Sequence, residues 1–149
     1  MIIKNGLVFQ ENKSFQKLDV EICNKYLTKI GEIDLSHTPD SEVIDATGLY
    51  VLPGLIDIHS HGAVGHDFSD GNVEGLKEIL AYEYTHGITT YCPTSMTIEK
   101  DDILSMFDSV KDWEHKEGLA DFAGINMEGP FLDPAKKGAH REECIMKPD

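Results

Sequence analysis

Apolar and polar positions change their rhythm near residue 52. Before it, short apolar stretches at 1–9, 18–23, 26–33 and 42–45, separated by turn signals, predict a β-rich segment. From Leu52 onward, apolar strands alternate with helical periodicity, the mark of βα units and a parallel sheet. The run VLPGLIDIHSHG at 51–62 predicts a buried central parallel strand, entered through Pro53 and Gly54 and left at Gly62.

The spacing then predicts a helix over 72–86, with Val73, Leu76, Ile79, Leu80 and Tyr84 on its apolar face and Gly87 as its stop. A second strand is expected over 88–92. Thr97 reads as the N-cap of a second helix, with Glu99, Asp101 and Asp102 in its first turn. Ile103, Phe107, Val110 and Trp113 carry its stripe toward a stop at Gly118, and a third strand is expected over 122–128.

His59 and His61 stand two residues apart on the first of these strands. Side chains alternate along a strand, so both imidazoles point the same way, roughly 6.6 Å apart at about 3.3 Å rise per residue. That is the bite of a metal site, although a pair of hydrogen-bonded core histidines would show the same spacing. Alternation along 122–128 puts Phe122, Gly124, Asn126 and Glu128 on one face, with the carboxylate at the strand's C-terminal end, as the histidines are on theirs. Active sites of (β/α)8 barrels are built at that end. Two imidazoles and a carboxylate suit a divalent transition metal such as Zn²⁺. The plainer reading of Glu128 is a helix-capping or loop carboxylate. Asp57 shares the histidine face, either orienting one of them or making a simple polar contact. His66, between Gly65 and Asp67, reads as an exposed loop residue.

Charge and cysteines narrow the classes. The 149 residues carry 13 Lys plus Arg against 27 Asp plus Glu, a net charge of -14, so a phosphate backbone finds no basic footprint. Neither nucleic acid nor membrane is an expected partner: no secretory leader stands at the start, and no apolar run is long enough to cross a bilayer. Cys23, Cys92 and Cys144 have no paired short spacing, which argues against a disulfide framework and a cysteine zinc site and fits a cytoplasmic protein. Cys92 reads as a small buried apolar residue.

The N-terminal strands and the 51–62 run together resemble the amidohydrolase superfamily. The stretch NMEGPFLDPAKKGAH at 126–140 is more specifically similar to the N-acetylglucosamine-6-phosphate deacetylases, and the resemblance extends from about residue 1 to about residue 142. It implies an α/β fold, with N-terminal β-sandwich strands over 1–51 followed by the first three strands of a metal-dependent (β/α)8 barrel over 52–149. It implies His59, His61 and Glu128 as ligands of a divalent metal, Zn by expectation, and Ala139 and His140 as contacts to N-acetylglucosamine 6-phosphate. It further implies an enzyme of amino sugar metabolism, a homo-oligomer when complete, whose metal polarises an acetamide carbonyl and acidifies a bound water while a general base moves the proton.

The family's remaining metal-binding histidines, catalytic aspartate and phosphate-binding residues are expected beyond residue 149, since a complete barrel takes about 250 residues. No catalytic base is therefore assigned here, and the chain alone is expected to be inactive. The alternatives are a non-catalytic chain that acts by assembling with a complementary polypeptide, and another amidohydrolase such as a cyclic amide hydrolase, which the EGPF sequence at 128–131 disfavours. The loop with Lys136, Lys137 and Arg141 is a local patch of positive charge suited to an anionic sugar.

Overall fold

Burial along Ile2–Phe9 (β1), with Ile2, Gly6 and Val8 inward, marks this strand as the centre of the first sheet. A computed structural model describes residues 1–37 and 42–148, in two units, Met1–Pro53 and Gly54–Asp149. In the first unit, β1 pairs antiparallel with β2 (Phe15–Cys23), and β2 with β3 (Tyr26–Gly31). The other edge of β1 takes β4 (Val43–Asp45) and then β5 (Tyr50–Val51), both parallel. The expected strands are present with shifted ends, and β5 is an addition that two residues of pattern could not announce.

The register of β1 slips between Ile3 and Gly6, where Asn5 adopts φ 64°. Asp19 of β2 occupies this bulge. Its Oδ1 accepts from the Asn5 N–H at 2.9 Å, and its Oδ2 accepts from Lys4 Nζ at 2.7 Å and the Ile33 N–H at 3.0 Å. Burial pushes the Asp19 carboxyl up, but these donors and the Lys4 charge outweigh it and hold it below the usual aspartate range.

In the second unit, β6 (Leu55–Ser60) and β9 (Ile88–Ser95) are parallel, and the far edge of β9 carries β10 (Asp121–Phe122) and β11 (Asn126–Met127), also parallel. Between β6 and β9 come a small hairpin, β7 (Gly62–Ala63) with β8 (His66–Asp67), and helix α1 (Val73–Thr85); α2 (Lys100–Val110) follows β9. Phe68, Leu76, Ile79, Leu80, Tyr91, Ile103, Met106 and Val110 form the core, with Trp113 and Phe122 packed against it.

Several expectations change. Helix α1 starts as read, its Asn72 side chain accepting from the N–H groups of Glu74 and Gly75, but Tyr84 is exposed and Glu83 takes the inward position in phase with Leu76 and Ile79. Burial first, and then the charge of Asp57, pushes the Glu83 carboxyl up. Helix α2 is capped at Glu99, without a side-chain bond, and not at Thr97. Strand three is interrupted after Phe122 and resumes at Asn126, so strict alternation does not run through Gly124, whose φ is 149°. Strand β6 is not buried: Leu55, Ile56 and Ile58 are 60%, 66% and 65% exposed, because among the described residues β9 is the one strand that pairs with β6. Cys92 is half-buried, and none of the three cysteines is bridged. No helix among the described residues is long and apolar enough to cross a membrane.

Candidate metal centre

Near its C-terminal end, β6 bulges. Asp57 stands opposite Tyr91 but Ser60 opposite Pro93, so β6 carries one residue more than β9 between these pairs. Pro93 has no N–H to give the ladder, and a bulge here re-aims the local side chains. The bulge's backbone groups bond to side chains instead. The His59 N–H donates to Asp57 Oδ1 at 2.8 Å, and the Ile58 carbonyl accepts from Asn126 Nδ2 at 2.7 Å. Asp57 therefore holds the backbone of His59 and not either imidazole ring.

Despite the bulge, the two rings converge, with centroids 5.7 Å apart and planes at 82°. The Nε2 atoms of His59 and His61 each lie 3.2 Å from Glu128 Oε2. One ligand atom from each residue falls within 4.8 Å of the others. His61 Nδ1 is 3.1 Å from the Thr94 carbonyl oxygen, which only accepts, so Nδ1 carries the hydrogen and neutral His61 turns its Nε2 lone pair toward the carboxylate. In that tautomer two acceptors face each other at 3.2 Å, an arrangement that either a proton on Nε2 or a bound cation relieves. A divalent metal fits that requirement, and a ring fixed by a carbonyl through its other nitrogen is how metal-binding histidines are commonly oriented.

Glu128 follows β11 and is fixed from three directions. Asn126 and Met127 pair with Thr94 and Ser95, setting its height on the sheet. Thr97 Oγ1 donates to the Glu128 carbonyl at 3.1 Å, and a Cβ on the next residue, Gly129 (φ 91°), would come within 2.0 Å of that hydroxyl. At the carboxylate itself, His140 Nε2 lies 3.1 Å from Oε1. Burial pushes the Glu128 carboxyl up, but the hydrogen bonds from His140 and His59, with their charge, hold it below the ordinary glutamate range.

The remaining sequence candidates separate. His140 joins the cluster, 12% exposed at its side chain, while Ala139 is exposed on the loop beside it. Lys137 Nζ donates to the His140 carbonyl at 3.1 Å, and Arg141 pairs with Glu143 and Glu99, so two of the three loop cations are engaged locally. His66 is half-buried on β8 and faces Glu78 at 3.3 Å, its ring filling the space beside Gly75, where a Cβ would meet Nδ1 at 2.8 Å. It is neither an exposed loop residue nor part of the cluster. Sequence reasoning missed the supporting roles of Thr97 and Asn126, whose partners are 31 and 68 residues away.

No protein-family model matches the chain. It is 27% identical over 153 residues to N-acetylglucosamine-6-phosphate deacetylase of Bacillus subtilis, covering 100% of this chain and 39% of that protein. The crystal structure of the Thermotoga maritima N-acetylglucosamine-6-phosphate deacetylase superposes with a TM-score of 0.75 at 25% identity, over 100% of this chain and 38% of that one. The chain matches the N-terminal part of N-acetylglucosamine-6-phosphate deacetylases. It spans about two fifths of the length of these deacetylases. Its fold is also that of a more distant hydrolase, the zinc-complexed atrazine chlorohydrolase of Arthrobacter aurescens, with a TM-score of 0.63 at 18% identity, over 99% of this chain and 39% of that one.

Proposed function

We propose that this chain carries the metal-binding end of an N-acetylglucosamine-6-phosphate deacetylase active site. The observation that carries the reading is the meeting of His59 Nε2, His61 Nε2 and Glu128 Oε2 at the C-terminal ends of parallel strands, in a chain whose relatives are deacetylases. In this reading residues 1–51 are strands of a small β-sandwich, and residues 52–149 carry the first three strands of a (β/α)8 barrel. Zn²⁺ is the proposed ion; bound there, it would polarise an acetamide carbonyl and acidify a coordinated water. The three side chains hold it, Thr94 fixes the tautomer of His61, and Ala139 and His140 form the wall against which the sugar phosphate lies. We assign no general base to this chain: His140 faces Glu128 and His66 faces Glu78.

A second reading, assembly with a complementary polypeptide, is favoured by the exposure of Leu55, Ile56 and Ile58 on β6, an apolar run with no cover among the described residues. One experiment addresses both. The chain is dialysed against zinc, as is Glu128→Gln, and each is mixed with the remaining portion of the Bacillus subtilis relative. We expect zinc to be retained only with Glu128, and acetate to be released from N-acetylglucosamine 6-phosphate only by the mixture. Equal zinc in both chains removes Glu128 from the site, and a zinc-loaded mixture that ignores this substrate overturns the deacetylase assignment.

A further inference from the structure

We propose that His140 is a positioning residue that fixes which oxygen of Glu128 is offered to the metal. This rests on the metal-site reading above and adds to it a residue outside the three ligands. The two carboxylate oxygens are divided: Oε2 faces His59 and His61, while Oε1 is taken by His140 Nε2 at 3.1 Å. A carboxylate free to rotate offers either oxygen, or both, to a cation. One tied through Oε1 keeps Oε2 turned toward the histidines as the favoured ligand atom, a single-oxygen contact that suits the four-coordinate geometry of Zn²⁺ better than the oxygen-rich shells of larger cations.

The surroundings of His140 point the same way. Its side chain is 12% exposed, against 58% for His59 and 34% for His61. Its Nδ1 is buried with no hydrogen-bond partner among the described residues, so no second bond from them competes for the ring's orientation. To donate to Oε1, neutral His140 places its hydrogen on Nε2 and leaves Nδ1 bare in that buried position. The loop also holds the residue from behind, through Lys137 Nζ on the His140 carbonyl at 3.1 Å. The one polar atom of the ring with a partner is thus committed to Glu128.

The test compares His140→Gln, whose amide can still donate at the reach of Nε2, with His140→Met, which fills similar space without a donor. Zinc affinity of the 149-residue chain is measured by competition with a chromophoric chelator, and the visible spectrum of the Co²⁺-loaded chain is recorded. Circular dichroism of each metal-free variant checks folding. We expect His140→Gln to stay close to the unsubstituted chain and His140→Met to bind zinc about 10- to 100-fold more weakly, the usual cost of losing a residue that orients a ligand. The Co²⁺ bands of His140→Met should also weaken, as a freed carboxylate raises the coordination number. Equal affinity and identical Co²⁺ spectra in the two folded variants overturn the assignment of His140 while leaving the three ligands in place. Failure of the unsubstituted chain to bind zinc or cobalt overturns both readings together.

Discussion

Asn126 and Ile58 are 68 residues apart in sequence, yet Asn126 Nδ2 donates to the Ile58 carbonyl at 2.7 Å. The bond ties the segment that carries Glu128 to the strand that carries His59 and leads into His61, and it does so at the bulge beside them. Ligands from two segments distant in sequence converge only if their backbones are held in register, and this bond spans the interval directly.

Asn126→Ala is expected to cost about 1 kcal/mol of stability and about 10-fold in zinc affinity, as for other groups that support ligands. Urea denaturation and chelator competition measure the two effects. Loss of stability with unchanged zinc affinity would show that the bond supports the fold without aligning the ligands.

Thr97→Val keeps the shape of a buried side chain and removes the hydroxyl that donates to the Glu128 carbonyl. It should cost about 1 kcal/mol, since a part-buried acceptor loses its donor, and should weaken zinc binding. Helix α2 should be untouched, because it begins at Lys100 with Glu99 as its cap. Amide exchange over residues 100–110 distinguishes the cases: fraying of the first turn would restore Thr97 to a capping role.

Asp19→Asn tests the bulge in the first unit. The folded carboxyl is held below its ordinary range, so its contribution is present above the unfolded value of about 3.9 and is lost as the pH falls through the folded value. At pH 7 the substitution should cost about 1–3 kcal/mol, leaving the Lys4 ammonium with the Ile33 carbonyl but without its carboxylate. The difference from the unsubstituted chain should shrink steadily below about pH 4. A stability gap independent of pH between 7 and 3 would mean that the ionised carboxylate is not what the bulge uses.

The zinc-loaded 149-residue chain is expected to release no measurable acetate from N-acetylglucosamine 6-phosphate by itself. Absence of a base alone typically lowers rates about 10²- to 10⁴-fold. Turnover by a preparation free of host enzyme, abolished by Glu128→Gln, would place a base within the chain and make His66 and His140 the first residues to substitute.

Much of this protein is written locally. Periodicity of two or about 3.6 residues marks burial along a single element, which is why most strands and the Asn72 start of α1 are legible before folding, whereas the approach of Glu128 to His59 and His61 does not follow from alternation along an interrupted third strand. Tertiary structure decided the rest. An inward Glu83 depends on the exact phase of α1 against the sheet, and the exposure of Leu55, Ile56 and Ile58 on which neighbours β6 possesses. The bulge opposite Pro93, the turn of Thr97 from expected cap to support of Glu128, and the hold of His140 on Oε1 all arise between segments distant in sequence. Backbone groups displaced from a ladder take whichever donors and acceptors the folded chain brings near, and no local pattern of apolar and polar residues encodes that pairing.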